Sequence, residues 1–498
     1  MIYPTLEHAE ELLRKAENGQ KNYSRIPVKL EIYADMITPV LAVRRLKSAS
    51  HHCFLLESAE LSRQWGRYSF LGYDPTMEIT CQNGVVNITD KEAGTTLTQQ
   101  TDHPAVLLRQ VMEKNRALRL EGMPSFAGGL VGYFSYDYVK YSEPSLNLDA
   151  KDEEAFRDAD LMLFDKVIAF DHYRQKIILI VNIKTDELKT SYQKGEQTLR
   201  DMVSLLSGSA MAENPPLKLK SKFRYLFSRE EYCQLVEKAK QFIYEGDIFQ
   251  VVLSNRMEAD MEGSLLDTYR VLRTENPSPY MFYFSSGDIE IAGASPETLV
   301  KLEDGILRTF PLAGTRRRGD TEEEDLALEQ NLLADEKECA EHNMLVDLGR
   351  NDIGKISQIG SVEVEKYMNI ERFSHVMHIG SAVKGRIRKD RDALDAIDAI
   401  LPAGTLSGAP KLRACEIINQ LEGNKRGIYG GAIGYMDFTG NLDTCIAIRI
   451  AFAKNGKVFV RSGAGIVADS IPEMEFAECE NKAAAVLKAL EKAEGGIE

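Results

Sequence analysis

The sequence predicts a mixed α/β (α+β) fold, and three observations carry that reading. From about residue 225 onward, apolar runs of strand length alternate with helix-length amphipathic runs and Gly-rich turns. Before that, strand candidates follow one another closely, two of them joined by the hairpin dipeptide Asn83-Gly84. Between these stretches, 207–222 contains Gly208, Asn214, Pro215 and Pro216, the composition of a linker. The chain therefore divides into an N-terminal region, 1–215, and a C-terminal domain, 223–490.

Taken in order, the spacing predicts an amphipathic helix over 1–20 that ends near Gly19, a strand over 28–32 and a helix over 39–46. Cys53-Phe54-Leu55-Leu56-Glu57-Ser58 is a compact apolar run with a polar end, as in a buried strand. Further strands are expected over 77–81, 85–88, 166–171 and 176–183. The segment 127–133 combines Gly128, Gly129 and Gly132 with apolar residues, which suits close approach of backbones. It lacks the helix opening and the Lys-Ser/Thr of a phosphate loop. Ser228-x-x-Glu231 forms a capping box for a helix to Glu245, stopped by Gly246, and 248–253 follows as a strand. The run 324–337 is rich in Leu, Ala and Glu and free of Gly and Pro, so a helix is expected to run through it into 338–348. Ser470, Pro472 and Glu473 open a last helix.

Composition narrows the function. A chain of 498 residues with 44% hydrophobic and 28% charged residues is globular, with ample core for a large enzyme. A net charge of −15 argues against nucleic-acid binding but leaves room for a small anion in a local basic pocket. The seven cysteines are scattered, odd in number and without a CxxC, as expected of reduced thiols in a cytoplasmic protein. The charged N-terminus does not read as a signal peptide, and the longest apolar run, 177–183, is too short to span a membrane.

Chemistry first shows in two acidic pairs. Glu338 and Glu341 stand three apart on a predicted helix, and Glu475, Glu478 and Lys482 share one face of another. Each pair alone equally suits a solvated helix face; together, two pairs on two helices are able to converge on one hard cation. Several turns keep them company. Residues 293–297 present Glu297, 309–316 offer Gly314, Thr315 and Arg316, and 402–411 contain Thr405. Tyr429-Gly430-Gly431 and Ser462-Gly463-Ala464-Gly465 are further turns beside predicted strands. His375 and His378 would face opposite ways on a strand and together on a helix. Any one of these is compatible with an ordinary turn or a core histidine. Arg449, in Cys445-Ile446-Ala447-Ile448-Arg449, is a charge in an otherwise apolar strand, and a buried cation needs an anion. Turn N–H groups, an arginine and a magnesium-binding glutamate set point to a carboxylate-bearing substrate bridged to metal.

The segments GASPE, PLAGTRRRG, EKECAEHNMLVDLGRNDIG, SHVMH, PAGTLSGAPKLRA, YGGAIGY, DTCIAIR and RSGAGIVADSIPEMEFAECENKA resemble, in order and spacing, those of the chorismate-utilising enzymes. Within them the chain is most similar to the large, aminating subunits of anthranilate synthases. The resemblance covers 225–485, and LLES at 55–58 with Asn276-Pro277-Ser278-Pro279-Tyr280-Met281 extends it over most of the chain. It implies two packed β-sheets with helices outside, and a Mg2+-dependent lyase that converts chorismate and ammonia to anthranilate and pyruvate through aminodeoxyisochorismate. By position, Glu338, Glu341, Glu475 and Glu478 match the family's magnesium-binding glutamates. Gly314, Thr315, Tyr429, Arg449, Gly463, Ala464, Gly465 and Lys482 match substrate-gripping positions. Glu297 matches the acid for the departing C4 hydroxyl, His378 the residue linked to pyruvate elimination, and Thr405 a further catalytic position.

Two positions separate the relatives. Family members that add water carry a lysine where this chain has Gln250, and a neutral glutamine fits ammonia, already a nucleophile. Aminodeoxychorismate synthases, the alternative reading, carry a nucleophilic lysine where this chain has Ala313. A second alternative, a non-catalytic tryptophan sensor, has no need of four metal-facing carboxylates. No GxCxGxQ-type segment is present, so a separate glutamine amidotransferase subunit is expected to supply ammonia. The resemblance also implies feedback inhibition by L-tryptophan, bound by Glu57, Ser58, Pro279, Tyr280, Met281 and Cys445. Glu57 and Ser58 would offer an anion and a hydroxyl to an α-ammonium group beside an apolar wall.

Overall fold

The computed structural model describes residues 2–18, 22–59, 66–372 and 376–497. Its strands form two large antiparallel sheets with helices on the outer faces. The first sheet runs from Ile2–Tyr3 and Arg25–Tyr33 through Lys176–Lys184, Lys166–Asp171, Tyr68–Tyr73 and Cys53–Glu57. It continues through Tyr280–Ser286, Ile289–Ser295, Ile450–Lys454 and Lys457–Ile466 to Gln250–Glu262. The second joins Met77–Gln82, Val85–Asp90, Gly129–Phe134 and Ala159–Phe164 to Ala432–Asp437, Leu442–Ile446, Thr298–Glu303 and Val376–Arg386. Both sheets draw strands from either side of 207–222, so that segment separates two stretches of sequence rather than two cores.

Between the sheets lies a layer rich in aromatic rings, including Phe54, Phe126, Phe164, Phe284, Phe452 and Phe459. Phe54 meets Phe164 edge to face with centroids 4.8 Å apart, a favoured aromatic geometry. Glycines set the close packing of the second sheet: a side chain at Gly129 would stand 2.1 Å from the Met436 carbonyl oxygen. The sequence reading of 127–133 as a close-approach segment holds for that reason.

Local chemistry explains most boundaries. Asn83-Gly84 turns between Met77–Gln82 and Val85–Asp90. Ser228 and Glu231 form the capping box of Arg229–Tyr244. The expected helix through 324–348 is instead two, Glu322–Leu333 and Glu336–Gly354. Asp335 ends the continuity, because its carboxylate accepts from the N–H groups of Lys337 and Glu338 and so caps a new helix. The first helix is Leu6–Asn18, preceded by the strand Ile2–Tyr3, and its expected end at Gly19 lies outside the described residues.

One feature of the topology positions the site. The chain leaves the first sheet after Ser295 and enters the second at Thr298; it returns from Ile446 to Ile450. Glu297 and Arg449 lie on these two crossings. The crossings are tied together: Ile446 N donates to Glu297 O at 2.9 Å and Ala294 N to Arg449 O at 3.2 Å. Arg449 is thus not a residue within an apolar strand, as the sequence pattern indicated. It stands at the bend between sheets with a left-handed φ of +52°, uncommon for a residue with a Cβ.

Candidate active site and a second cavity

Glu297 anchors the site. Thr405, in the short turn Gly404–Leu406, donates its hydroxyl to Glu297 Oε1 at 2.9 Å. Protein surrounds the carboxyl and pushes its pKa up to about 7, against the opposing influence of Thr405, Lys482 and Arg449. Arg449 in turn is lowered by burial and held up by Glu297. A carboxyl able to carry a proton at neutrality therefore faces two cations.

His378 lies on Val376–Arg386, and its Nδ1 is 2.8 Å from Gly314 O and 3.1 Å from Thr315 Oγ1. A carbonyl only accepts, so Nδ1 carries the hydrogen and the neutral ring keeps its lone pair on Nε2. Burial, opposed by that bond, lowers the histidine's pKa and favours the neutral form. His375 lies outside the described residues. The turn that holds His378 also approaches the acidic helix: a methyl at Gly314 would stand 3.1 Å from Glu338 Oε2.

The two acidic pairs meet across the site. Burial raises Glu341, as do the charges of Glu338 and Glu478, while Lys337 and Lys482 oppose them. Glu475 is likewise raised by burial and by Glu478, against Ser470, Lys337 and Lys482. Residues from helices Glu336–Gly354 and Pro472–Ala493 thus feel one another's charge. Lys337 is a participant that sequence reasoning missed; only the facing of the two helices reveals it. Among the described residues, no three His, Cys, Asp or Glu side chains close into a ready coordination shell. Oxygen donors under mutual repulsion nonetheless fit a hard divalent cation, which takes few direct carboxylates and keeps waters.

The remaining predicted positions form the floor. Gln250 is buried at the start of Gln250–Glu262, and a side chain at Gly465 would collide with its Nε2 at 2.5 Å. One at Gly463 would come within 3.1 Å of Tyr429 Oη. Lys482 Nζ donates to Gly463 O at 3.1 Å and pairs with Glu478 at 2.7 Å. Ala464 differs: strand alternation turns its methyl into the apolar cluster with Val251, Leu253 and Tyr232. Only its backbone is available to the floor.

A separate cavity of about 660 Å³ opens between the sheets, and Glu57, Ser58, Pro279, Tyr280, Met281 and Cys445 all line it. Strand pairing brings the two sequence segments together, with Met281 opposite Glu57 and Ala59 N donating to Ser278 O. Glu57 does not present a bare anion. Its carboxylate accepts from Ser69 Oγ at 2.9 Å, Arg273 Nε at 2.9 Å and Tyr269 Oη, so Arg273 already balances its charge. A side-chain contact links the cavity wall to the active site: Tyr280 Oη is 2.9 Å from Oγ1 of Thr298, the sequence neighbour of Glu297.

Known proteins carry the same arrangement of sequence and fold. The chain is 46% identical to anthranilate synthase component 1 of Acetivibrio thermocellus over 99% of both chains. It is 44% identical to that of Aquifex aeolicus, over 97% of this chain and 98% of the relative. The solved anthranilate synthase component I of Streptococcus pneumoniae superposes with a TM-score of 0.75 at 39% identity, covering 91% of this chain and 98% of its own. A menaquinone-specific isochorismate synthase of Escherichia coli shares the fold, with a TM-score of 0.68 at 19% identity. The profile of the chorismate binding enzymes matches residues 51–488, which include Glu297, Arg449 and all four helix glutamates. On these grounds the chain belongs to the chorismate binding enzyme family.

Proposed function

We propose that this chain is the aminating subunit of an anthranilate synthase, converting chorismate and ammonia to anthranilate and pyruvate. The observation that carries the reading is Glu297, bonded to Thr405, able to carry a proton near neutrality and facing Arg449 and Lys482, in a site with Gln250 and Ala313 rather than lysines. Arg449 and Lys482 bind the substrate's carboxylates, and the turn at Gly463–Gly465 lets the ring approach the backbone. Glu297 donates its proton to the leaving C4 hydroxyl while ammonia attacks. No lysine base is needed at position 250, because ammonia arrives with its own lone pair. His378, neutral and oriented by Gly314 and Thr315, suits the proton transfer of pyruvate elimination.

Glu338, Glu341, Glu475 and Glu478 would hold the magnesium ion. When bound, it supplies positive charge that offsets a substrate carboxylate and the mutual repulsion of these side chains. The ammonia comes from a separate glutamine amidotransferase subunit, a reading supported by the absence of a glutaminase nucleophile segment and by relatives named as components. The inter-sheet cavity binds L-tryptophan, which inhibits by favouring an inactive arrangement. Its support is the convergence of all six expected residues on one cavity. Glu57 braces that cavity wall through Arg273, rather than meeting the ligand's ammonium group as a bare charge.

The deciding experiment incubates the chain with chorismate, Mg2+ and ammonium salt, and follows anthranilate by fluorescence and pyruvate by coupled reduction. Equal amounts of both products are expected. Accumulation of 4-amino-4-deoxychorismate without pyruvate would assign the chain to the alternative chemistry.

A further inference from the structure

Behind the floor of the site lies a charged cluster sealed from solvent. Glu422, Arg426 and Arg461 have side chains at most 1% exposed. Glu422 Oε1 accepts from Arg426 Nη2 at 2.6 Å, and Oε2 from Arg426 Nε at 3.0 Å and Arg461 Nη2 at 2.7 Å. Ser254 adds its N–H at 2.8 Å and its hydroxyl at 2.9 Å. Two arginines thus share one carboxylate in a place where charges are costly to desolvate. Stability alone does not call for such a group, since well-packed apolar residues often serve as well or better.

What the cluster touches is more telling. Arg426 Nη1 donates at 2.5 Å to the carbonyl of Leu406, the residue after Thr405. Its Nη2 donates at 2.7 Å to the carbonyl of Val252, two residues after Gln250. Arg461 lies two residues before Gly463, and Gly463 pairs in register with Ser254. Arg426 also stands 6.0 Å from the ring centre of Tyr429. Four segments of the floor, which share no local sequence, are therefore bonded or packed to one buried cluster.

We propose that Glu422, Arg426 and Arg461 are positioning residues, and that Arg426 fixes the Gly404–Leu406 turn so that Thr405 meets Glu297. Their functional role rests on the reaction proposed above. A guanidinium suits this task because its planar fork serves two carbonyls and a carboxylate at once, which an ammonium group does not.

Arg426→Met tests the idea without stranding a charge, because it leaves the Glu422–Arg461 pair balanced. It should lower kcat with ammonium on the order of 100-fold, the cost of a small misplacement of reacting groups. KM for chorismate should change by less than about threefold, since the substrate-binding cations are untouched. The basic limb of the pH–rate profile should move upward, as in Thr405→Val, because Glu297 loses the bond that favours its ionised form. Lys482 and Arg449, which also face Glu297, remain in place. Arg426→Lys, with its charge kept, should fall between parent and Arg426→Met. Amide hydrogen exchange should accelerate at 404–408 ahead of the rest of the chain. An unchanged pH limb, or exchange that rises uniformly over the molecule, would overturn the proposal and leave a merely structural cluster. If the parent makes no anthranilate, the proposed reaction fails, while exchange at 404–408 still decides whether Arg426 holds the turn.

Discussion

At the scale of single residues, the proposed reaction turns on where one proton sits. Enclosure of Glu297 shifts its pKa from the usual carboxylate range to about 7, roughly 3 kcal/mol against ionisation. The acid is then present below that pH and lost as pH rises through it. With free ammonia held constant, the rate should fall across neutrality. Thr405→Val removes a hydrogen bond to the ionised form, so it should move this limb to higher pH. A profile that stays in place would remove Thr405 from the acid's surroundings. The paired glutamates carry a second residue-level prediction. Glu341→Gln and Glu478→Gln should each cut turnover at limiting Mg2+ by at least roughly 100-fold, given the several kcal/mol such an ion contributes. Circular dichroism should remain that of the parent. Near-normal rates in either variant would exclude that residue from the ion's surroundings.

At the scale of elements, the pairing of Cys53–Glu57 with Tyr280–Ser286 sets the character of the second cavity. The same pairing places Ser58 and Met281 on one cavity wall, while Tyr280 reaches Thr298 next to Glu297. A ligand there shifts catalysis only through a difference in its affinity for active and inactive arrangements, and the coupling is reciprocal. Ser58→Phe should fill the cavity. It should leave uninhibited activity within about twofold while raising the tryptophan needed for half-inhibition tenfold or more, a binding loss of at least about 1.4 kcal/mol. Inhibition as ready as in the parent would move the inhibitor site elsewhere.

The whole molecule is built from two sheets between which the chain passes repeatedly, and Glu297 and Arg449 sit on two neighbouring crossings. Both residues lie between regular strands, their carbonyls still bonded to Ile446 and Ala294, so strand alternation no longer dictates where their side chains point. The supply of nitrogen also belongs to this scale. The purified chain should form anthranilate from ammonium, faster as pH releases ammonia and until the loss of the Glu297 proton dominates. It should ignore glutamine until an amidotransferase subunit is added. Glutamine-dependent product from this chain alone would contradict the division of labour.

By itself, the sequence determined what is local. Ser228 with Glu231, Asn83-Gly84 and the paired glutamates announce a cap, a hairpin and acidic helix faces because a few neighbouring residues decide each. The order and spacing of the family segments likewise identified the candidate residues. Only the tertiary structure decided how they meet. Arg449 read as a strand residue because apolar neighbours surround it in sequence, yet it lies on a bend between sheets. The helix through 324–348 read as continuous because composition does not show the Asp335 carboxylate accepting from the N–H groups of Lys337 and Glu338 to start a new helix. Glu57 read as an open anion because Arg273 and Tyr269, more than 200 positions away, left no local mark. The Glu422–Arg426–Arg461 cluster escaped for the same reason: its meaning lies in the carbonyls of Leu406 and Val252, and backbone acceptors carry no residue identity that a sequence can show.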